Sequence, residues 1–395
     1  MQRRLLQILC TFNVLAFLTM PTSASTLQLD VFNAGSEAIF PVTSTLIYGD
    51  REAVLVDAQF QKGSARRLVD KVKALNKELR YVFISHSDPD YYFGLDEVRK
   101  AFPAAKVVST AQTAYLISAS KDAKLKVWKE KLGPDAPDAL HVPEAVASEM
   151  LTIDGQPISI VQDPLDPAHS FLWIPSLRAA LGGISVITGD HLWMADTASN
   201  EDLERWERLI GRMKSLDPAI VIPGHFRERS TSPAQLDFVR DYLTAYKTAA
   251  ASSASSTDLV TAMTKRYPGL AGVDTLAFGA KVFKGEASWH VPSTYPPIGR
   301  NAEVQFGDVV FRLRFTDNKK MSFEGTAGPF KNVKDTVEYT PVEVAKNVFM
   351  VYWHEPSTGS NVVHVQDWND GTAYTNIAAK DGSFMNLKGT IKLVP

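Results

Sequence analysis

The sequence predicts an α/β domain followed by a smaller all-β domain. Between residues 27 and 283, β-like runs first occur in pairs and then alternate with stretches of helical periodicity, which indicates a mixed sheet with helices packed outside. From residue 289 to 395, short alternating runs separated by Gly and Asp turns replace the helices. We expect this tail to form a small antiparallel β-barrel, because closing the sheet removes its edges. A chain of 395 residues is also long enough for two folded units.

The elements of the first domain follow from local patterns. Residues 44–48 and 53–57 read as a hairpin around Gly49-Asp50. Apolar residues at helical spacing predict the first helix, and short apolar runs bounded by turn residues predict buried strands. The predicted helices cover 64–76, 95–101 and 200–216, and the predicted strands cover 81–84, 106–109, 171–175, 184–187 and 220–222.

The N-terminus reads as a secretory leader. Arg3-Arg4 precede an apolar stretch from Leu5 to Met20, and small residues follow at 22–25. We interpret residues 1–24 as a signal peptide, with an uncleaved anchor as the alternative, and expect a periplasmic or secreted protein without an integral membrane span. Cys10 is the only cysteine, so the mature chain has no thiol to offer as a metal ligand or nucleophile.

The amino-acid composition restricts the classes of binding partner that we expect. Lys and Arg number 42 against 44 Asp and Glu, for a formal charge of −2, which gives no electrostatic case for nucleic acid. A hydrophobic fraction of 45% is ordinary for a globular protein. We expect a small-molecule substrate or ligand, and the composition leaves a homodimer open.

The loop over residues 85–94 carries the strongest chemical signal. It follows the predicted buried strand 81–84 and contains His86, Asp88 and Asp90 at alternate positions. Imidazole and carboxylate are ligand types that zinc, iron and manganese accept. An Asp-Pro-Asp segment is also a common turn, and a simple turn is the alternative interpretation.

This loop resembles the metal-binding loop of the metallo-β-lactamase superfamily, whose pattern is His-x-His-x-Asp-His followed by a glycine. His86, Asp90 and Gly94 match the pattern, whereas Asp88 and Tyr91 stand where the second and third histidines occur. The resemblance implies an αββα sandwich, two sheets layered between helices, with its core over residues 30–225. Residues 226–283 would then form a helical appendage.

The resemblance also implies a set of metal ligands. His86, Asp88 and His169 are similar to the ligands of the first metal, while Asp90 and the histidine of Pro223-Gly224-His225 are similar to those of the second. One way of counting places the bridging aspartate of the family at Gly183, and local context instead indicates Asp190; both remain open.

Too few ligands survive at the second position for tight binding, so we expect a mononuclear site with one Zn²⁺ or Fe²⁺ per chain, or none if the site is vestigial. A metal-bound water would be the nucleophile. Asp90 would accept a proton or orient the water. Tyr91 or Tyr92 would donate a hydrogen bond to the oxyanion.

The tail, residues 289–395, resembles a lipocalin-like barrel related to the MoaF family. The runs that carry this resemblance are 311–315, Glu338-Tyr339, 342–344, 348–353 and 364–367. Small barrels of this kind can enclose one apolar molecule.

Three functional hypotheses follow. The first is a periplasmic or secreted hydrolase acting on a small ester, lactone or related molecule. The second is a catalytically degenerate protein that binds a small molecule, or serves as a scaffold, through its C-terminal barrel. The third is redox chemistry at iron, which ranks below hydrolysis because no pattern suggests an electron carrier.

Overall fold

The computed structural model describes residues 26–395, and the predicted signal peptide lies outside them. Within that range, no helix has both the length and the apolar character required to cross a membrane. The predicted fold class is confirmed: a layered α/β sandwich is followed by a closed antiparallel barrel.

The first sheet has six strands in the order β1 to β6. The pairs β1–β2 and β2–β3 are antiparallel, whereas the pairs β3–β4, β4–β5 and β5–β6 are parallel. Parallel neighbours need crossover connections, which the first four helices provide. In chain order the elements are β1 (Gln28–Asn33), β2 (Thr43–Tyr48), β3 (Glu52–Val56), α1 (Lys62–Ala74), β4 (Glu78–Ile84), α2 (Pro89–Tyr92), α3 (Leu95–Ala101), β5 (Lys106–Ser109), α4 (Ala111–Leu132) and β6 (Glu144–Ala145).

The second sheet has five strands in the order β12-β10-β9-β8-β7, and a separate pair, β11 and β13, lies at its end. Four helices accompany it. The elements are β7 (Met150–Ile153), β8 (Gln156–Asp163), β9 (Asp166–Ile174), β10 (Ala179–Leu181), β11 (Ile187–Thr188), α5 (Asn200–Ser215), β12 (Ile220–Ile222), β13 (His225–Phe226), α6 (Ala234–Ser252), α7 (Ser256–Arg266) and α8 (Val273–Phe283).

Three apolar clusters hold the sandwich together. One lies between the two sheets and joins residues such as Val56 and Phe83 to Leu172 and Ile222. The outer face of the first sheet packs on α1 and α3, and the second sheet packs on α5 to α8. Burial on both faces of each sheet explains the continuous apolar runs by which the strands were predicted.

Several elements differ from the sequence-based expectation. The strand predicted at 184–187 is reduced to β11, because Gly182 and Gly183 adopt φ of +80° and +76° and turn the chain after the unpredicted strand β10. Helix α4 was also not predicted. Its apolar residues do not form one stripe, since Ile117 faces the sandwich core while Tyr115 and Leu116 enter the barrel core.

The C-terminal barrel has eight antiparallel strands and closes by pairing its first strand with its last. Alternate residues point inward, as the period of two requires. The strands are β14 (Asn301–Phe306), β15 (Val309–Phe315), β16 (Lys320–Ala327), β17 (Lys334–Ala345), β18 (Val348–Glu355), β19 (Ser360–Asp367), β20 (Thr372–Ala378) and β21 (Phe384–Val394).

Helix α4 joins the barrel to the sandwich. Gln112 Nε2 donates a hydrogen bond to the Tyr295 carbonyl oxygen at 2.7 Å, and Tyr115 and Leu116 pack among the barrel's buried residues. Arg300 adds a hydrogen bond to the carbonyl oxygen of Pro164. One helix therefore contacts the barrel near its N-terminus and, as described below, the candidate metal centre farther along.

Candidate metal centre

Three strand ends meet at the base of the predicted metal loop. Ser85, directly after β4, donates its backbone N–H and its hydroxyl to the Asp57 carboxylate at 2.8 and 2.6 Å. The Ser85 Oγ in turn accepts the N–H of Gly183 at 2.7 Å. This network connects the loops after β3, β4 and β10 and holds the metal loop in place.

Asp57 was not among the predicted site residues. Burial raises the pKa of its carboxyl to about 8, the hydrogen bonds from Ser85 lower it, and the charge of Asp90 raises it further. The available signal was its position directly after a buried strand, the same signal that singled out His86.

His86, Asp88 and His169, the predicted ligands of the first position, lie next to one another. His86 Nδ1 is 3.5 Å from Asp88 Oδ2 and accepts the Asp88 N–H at 3.2 Å. The rings of His86 and His169 are nearly parallel, with centroids 5.2 Å apart. His169 Nδ1 lies 2.9 Å from both carboxylate oxygens of Asp166, an arrangement in which Nδ1 donates and Nε2 remains free.

The two histidines differ in their electrostatics. Burial lowers the pKa of His86 to about 3, so its ring is neutral at physiological pH. Burial also acts to lower the pKa of His169, but the carboxylate of Asp166 outweighs it and the pKa is raised. A neutral imidazole is the form that binds a metal.

Lys124 of α4 enters the same site and was missed by the sequence analysis. Its Nζ donates to Asp88 Oδ1 at 3.1 Å and to the Ser87 carbonyl oxygen at 2.7 Å. Burial acts to raise the pKa of the Asp88 carboxyl, but Lys124 and His86 lower it below its usual range. No local signal marks Lys124, because it lies 36 residues from Asp88 in the sequence.

The second position holds Asp90, His225 and Tyr91. His225 Nε2 is 3.1 Å from Asp90 Oδ2. The Tyr91 ring packs edge-on between His86 and His225, with centroid distances of 5.3 and 5.6 Å. Tyr91 is 0% exposed, and its hydroxyl has no hydrogen-bond partner among residues 26–395. The phenol therefore fills the space between the two histidines, and burial keeps it neutral by raising its pKa well above the usual value.

The two candidate positions for the bridging carboxylate, Gly183 and Asp190, lie in different surroundings. Gly183 is at the site, where its N–H meets Ser85 and its carbonyl oxygen would lie 2.1 Å from a Cβ added at Gly224. Asp190 instead forms an ion pair with Arg227 Nε at 2.8 Å. The position beside the metal loop thus carries a glycine without a carboxylate.

A second buried carboxyl, Asp196, completes the wall near Asp88. It accepts hydrogen bonds from the indole N–H groups of Trp193 and Trp289 at 2.7 and 2.5 Å. Burial and the charge of Asp88 raise the pKa of Asp196 to about 6, and the two indole donors oppose this. Trp289 belongs to the segment between the two domains, so that segment also contributes to the site.

The donor atoms of the predicted ligands do not converge as a set of three. Among residues 26–395, the group of three whose donors lie within 4.8 Å of one another is Asp96, Glu97 and Asp138, and Lys100 already binds all three. An acidic group neutralised by a lysine is an ordinary surface feature.

The side chains at the first position are ligand types that a metal ion accepts, but their donor atoms are not gathered around one point in this structure. Two imidazoles and a carboxylate suit zinc or ferrous iron, and Asp166 orients His169 for binding. Lys124 already neutralises the Asp88 carboxylate through Oδ1, which makes Asp88 a weaker ligand. At the second position the neutral phenol of Tyr91 occupies the space, and Gly183 supplies no bridge.

Comparison with known proteins identifies both parts of the chain. Residues 39–225 match the family model of the metallo-beta-lactamase superfamily, and residues 298–392 match the MoaF-like model. A curated relative, "Uncharacterized protein YobT" of Bacillus subtilis (strain 168), is 31% identical over 80 residues, which are 20% of this chain. The matched region spans 34% of that relative's length.

Similar solved structures include two metallo-beta-lactamase proteins. One, a family protein from Thermus thermophilus, is 14% identical with a TM-score of 0.48, covering 65% of this chain and 93% of its own. The other, from Pontibacter korlensis, is 19% identical with a TM-score of 0.39, covering 55% of this chain and 99% of its own. By the family matches, residues 39–225 of this chain form a metallo-beta-lactamase-like domain, and residues 298–392 form a MoaF-like domain.

Proposed function

We propose that this chain is a hydrolase of small esters, lactones or related molecules that works with a single metal ion at the first position. The observation that carries the proposal is the pairing of His169 Nδ1 with Asp166, which leaves Nε2 of His169 free beside the uncharged ring of His86. The leader-like pattern of residues 1–24 supports a periplasmic or secreted location.

The chain's own residues have distinct roles in this proposal. His86, Asp88 and His169 would hold the ion, which supplies a bound water of lowered pKa when present. Asp166 keeps His169 in the tautomer with Nε2 free. Asp90, whose Oδ2 is 3.1 Å from His225 Nε2, is the carboxylate that would accept a proton or orient the water.

Tyr91 takes a different part from the one its sequence position suggests. Its hydroxyl lies beside Gly224, its ring packs edge-on against the rings of His86 and His225, and the side chain is fully buried. The contacts support a packing role that closes the second metal position. Donation to an oxyanion would require the side chain to move.

Elemental analysis tests the proposal. We expect about one zinc or iron per chain in the protein purified without chelator, and loss of the metal in a His86→Ala/His169→Ala variant. His354→Ala is the matched control, because His354 is exposed on the barrel, with its Nδ1 3.0 Å from Asn361 Oδ1. The metal-loaded protein should hydrolyse members of an ester and lactone panel. Absence of metal from the wild type after loading with zinc and iron would overturn the proposal.

A second candidate function is small-molecule binding or scaffolding without catalysis. The hydrogen bond from Lys124 to Asp88 favours it, because the chain's own cation already neutralises a predicted ligand. Any activity that survives in a His86→Ala/His225→Ala variant would support a metal-independent role.

A further inference from the structure

The outer surface of the C-terminal barrel is charged on one side and apolar on the other. The outward side chains of β14, β15, β16 and β21 include Glu303, Arg312, Arg314, Glu324, Lys388 and Lys392. Across β17 to β20, by contrast, the central outward side chains are apolar: Val342, Met350, Tyr352, Val363, Val365 and Tyr374. We call these last six residues the outer patch.

Strand pairing makes the outer patch continuous. Met350 of β18 lies opposite Val342 of β17 on one side and opposite Val365 of β19 on the other. Val365 in turn lies opposite Tyr374 of β20. The next outward pair of β18 and β19 completes the patch. Because side chains directly opposite each other in neighbouring strands are in contact distance, the six residues form one surface that crosses four strands.

Strand β18 has the composition of a strand that is covered on both faces. Its residues 348–353 are all aliphatic, aromatic or Met. The inward ones are buried in the barrel, yet Met350 and Tyr352 on the outward face are apolar as well. A strand with one face in water normally alternates, as β15 does with Arg312 and Arg314 outward. The sequence of β18 therefore favours a second covering layer outside the barrel.

The described part of the chain does not supply that layer. Tyr352 is 43% exposed, Tyr374 is 45% exposed and Val342 is 38% exposed, so no element among residues 26–395 covers the outer patch. The sandwich meets the barrel elsewhere, where Tyr115 of α4 packs against Tyr295. A contiguous apolar surface that stays exposed often marks an interaction site.

The area of the outer patch suits the core of a dimer interface. The two tyrosines, each a little under half exposed, contribute roughly 200 Å², and the other four residues bring the apolar area to roughly 350 Å². A stable interface buries about 800 Å² per partner, of which a little over half is apolar. The outer patch supplies most of that apolar share. Uncharged neighbours, Thr340, Asn361 and Asn376, lie at its border and can contribute to a polar rim.

The charge distribution favours a second copy of this chain as the partner. The outer patch contains no charged side chain, so a charged partner surface would lose its hydration there without forming an ion pair. The same patch on another copy brings no charge with it. A two-fold contact would also place two tyrosines from each copy in the interface, and tyrosine is enriched in interfaces. Lys388, whose Nζ lies 5.4 Å from the ring centroid of Tyr374, marks the charged border on the β21 side.

We propose that this chain forms a homodimer through the outer patches of two C-terminal barrels. The two-fold axis passes near Met350 and Val365, at the centre of the row that crosses the four strands. The outer patch includes no residue of the metal centre, so the dimer forms whether or not the chain is a hydrolase.

Sedimentation equilibrium of the mature chain tests the proposal. We expect the wild type to have twice the monomer mass at about 50 μM. Tyr352→Lys and Tyr374→Glu should each raise the dissociation constant of the dimer at least about a hundredfold, because each new charge is present twice in a symmetric interface and loses its hydration there. Both side chains point outward, and a glutamate at position 374 would lie opposite Lys388, so we expect both variants to fold.

Phe384→Lys is the matched control. Phe384 is 65% exposed on β21, more than either tyrosine of the outer patch, but it lies outside the patch. This variant should leave the dissociation constant unchanged. If an exposed aromatic residue anywhere on the barrel were enough for association, Phe384→Lys would weaken the dimer as well.

A cross-linking measurement covers the case in which a charged variant fails to fold. The mature chain has no cysteine, because Cys10 lies in the predicted signal peptide. Val365→Cys, near the two-fold axis, should form a disulfide between two copies on mild oxidation. Ser322→Cys, on the outward face of β16, should not.

Three results would overturn the proposal. The first is a wild type that stays monomeric at about 100 μM, and binding of that monomer to phosphatidylcholine vesicles would show a lipid surface as the partner instead. The second is a dimer that folded Tyr352→Lys and Tyr374→Glu leave intact. The third is equal cross-linking of Val365→Cys and Ser322→Cys.

Discussion

An aspartate introduced at Gly183 is expected to destabilise the protein rather than to complete a two-metal centre. The substitution places a carboxylate where one way of aligning the sequence with the superfamily expects the bridging ligand. In this chain Gly183 has φ of +76°, and a Cβ there would lie 2.3 Å from the Ser170 carbonyl oxygen. That oxygen belongs to β9 in the middle of the second sheet, so it cannot move away freely.

The magnitude follows from two separable costs. A non-glycine residue at this φ costs about 1–3 kcal/mol. The clash with Ser170 adds a cost of about 1–3 kcal/mol, as overpacking of a well-packed region usually does. We therefore expect Gly183→Asp to lower the free energy of unfolding by about 2–6 kcal/mol, before the burial of a charge beside Asp57 is counted.

Urea denaturation followed by circular dichroism measures this loss. Gly155→Asp is the matched control, because Gly155 has φ of +75° but no atom within 4 Å of its Cβ position. The control should carry the backbone cost alone, so its midpoint should lie between those of the wild type and Gly183→Asp. A Gly183→Asp protein as stable as Gly155→Asp that binds two metal ions per chain would refute the reasoning.

Three further outcomes are expected. Lys124→Met should tighten Zn²⁺ binding about tenfold or more in a chelator competition titration, because the Lys124 ammonium neutralises the Asp88 carboxylate through a charged hydrogen bond worth about 1.5–3 kcal/mol. Zn²⁺ affinity should fall as the pH decreases through the raised pKa of His169, because a proton competes for Nε2; the same titration at several pH values shows this. Asp57→Asn should gain stability relative to the wild type as the pH rises, measured by urea midpoints. The folded-state pKa of Asp57, about 8, lies above its ordinary 3.8, so the stability it confers is full below about pH 4 and lost toward pH 8.

Each of these outcomes has its own control. Lys124→Arg keeps the positive charge and should retain the wild-type Zn²⁺ affinity. Equal Zn²⁺ affinities in the wild type and Lys124→Met would show that Lys124 does not weaken Asp88 as a ligand. A Zn²⁺ affinity independent of pH would exclude His169 as a ligand. Parallel pH profiles of stability for the wild type and Asp57→Asn would show that Asp57 keeps an ordinary pKa in the folded protein.

Local sequence patterns were sufficient for much of the fold. The predicted helix 95–101 and strands 106–109 and 220–222 coincide with α3, β5 and β12, because each is a contiguous run with one periodicity and clear turn residues at its ends. The alternating texture after residue 289 predicted a barrel for the same reason. Helix α4 was not predicted, because its apolar residues pack into two different cores and therefore form no single apolar stripe.

For the candidate site, too, the sequence predicted one part and only the tertiary structure showed the rest. His86, Asp88, Tyr91 and Asp90 lie on one short loop after a buried strand, so the sequence by itself determined that these side chains share a location. Their resemblance to the metal-binding loop of the metallo-β-lactamase superfamily predicted an altered metal site, and this stays a prediction.

Only the tertiary structure decided what else enters that location and what is excluded from it. Lys124 approaches Asp88 from a helix 36 residues away, and Trp289 reaches Asp196 from the segment between the domains. Tyr91 fills the space between the two histidines, and Gly224 leaves room for its hydroxyl, since a Cβ there would lie 2.8 Å from the Tyr91 oxygen. Such contacts depend on how distant strands and helices pack, and periodicity carries information only about neighbours along the chain.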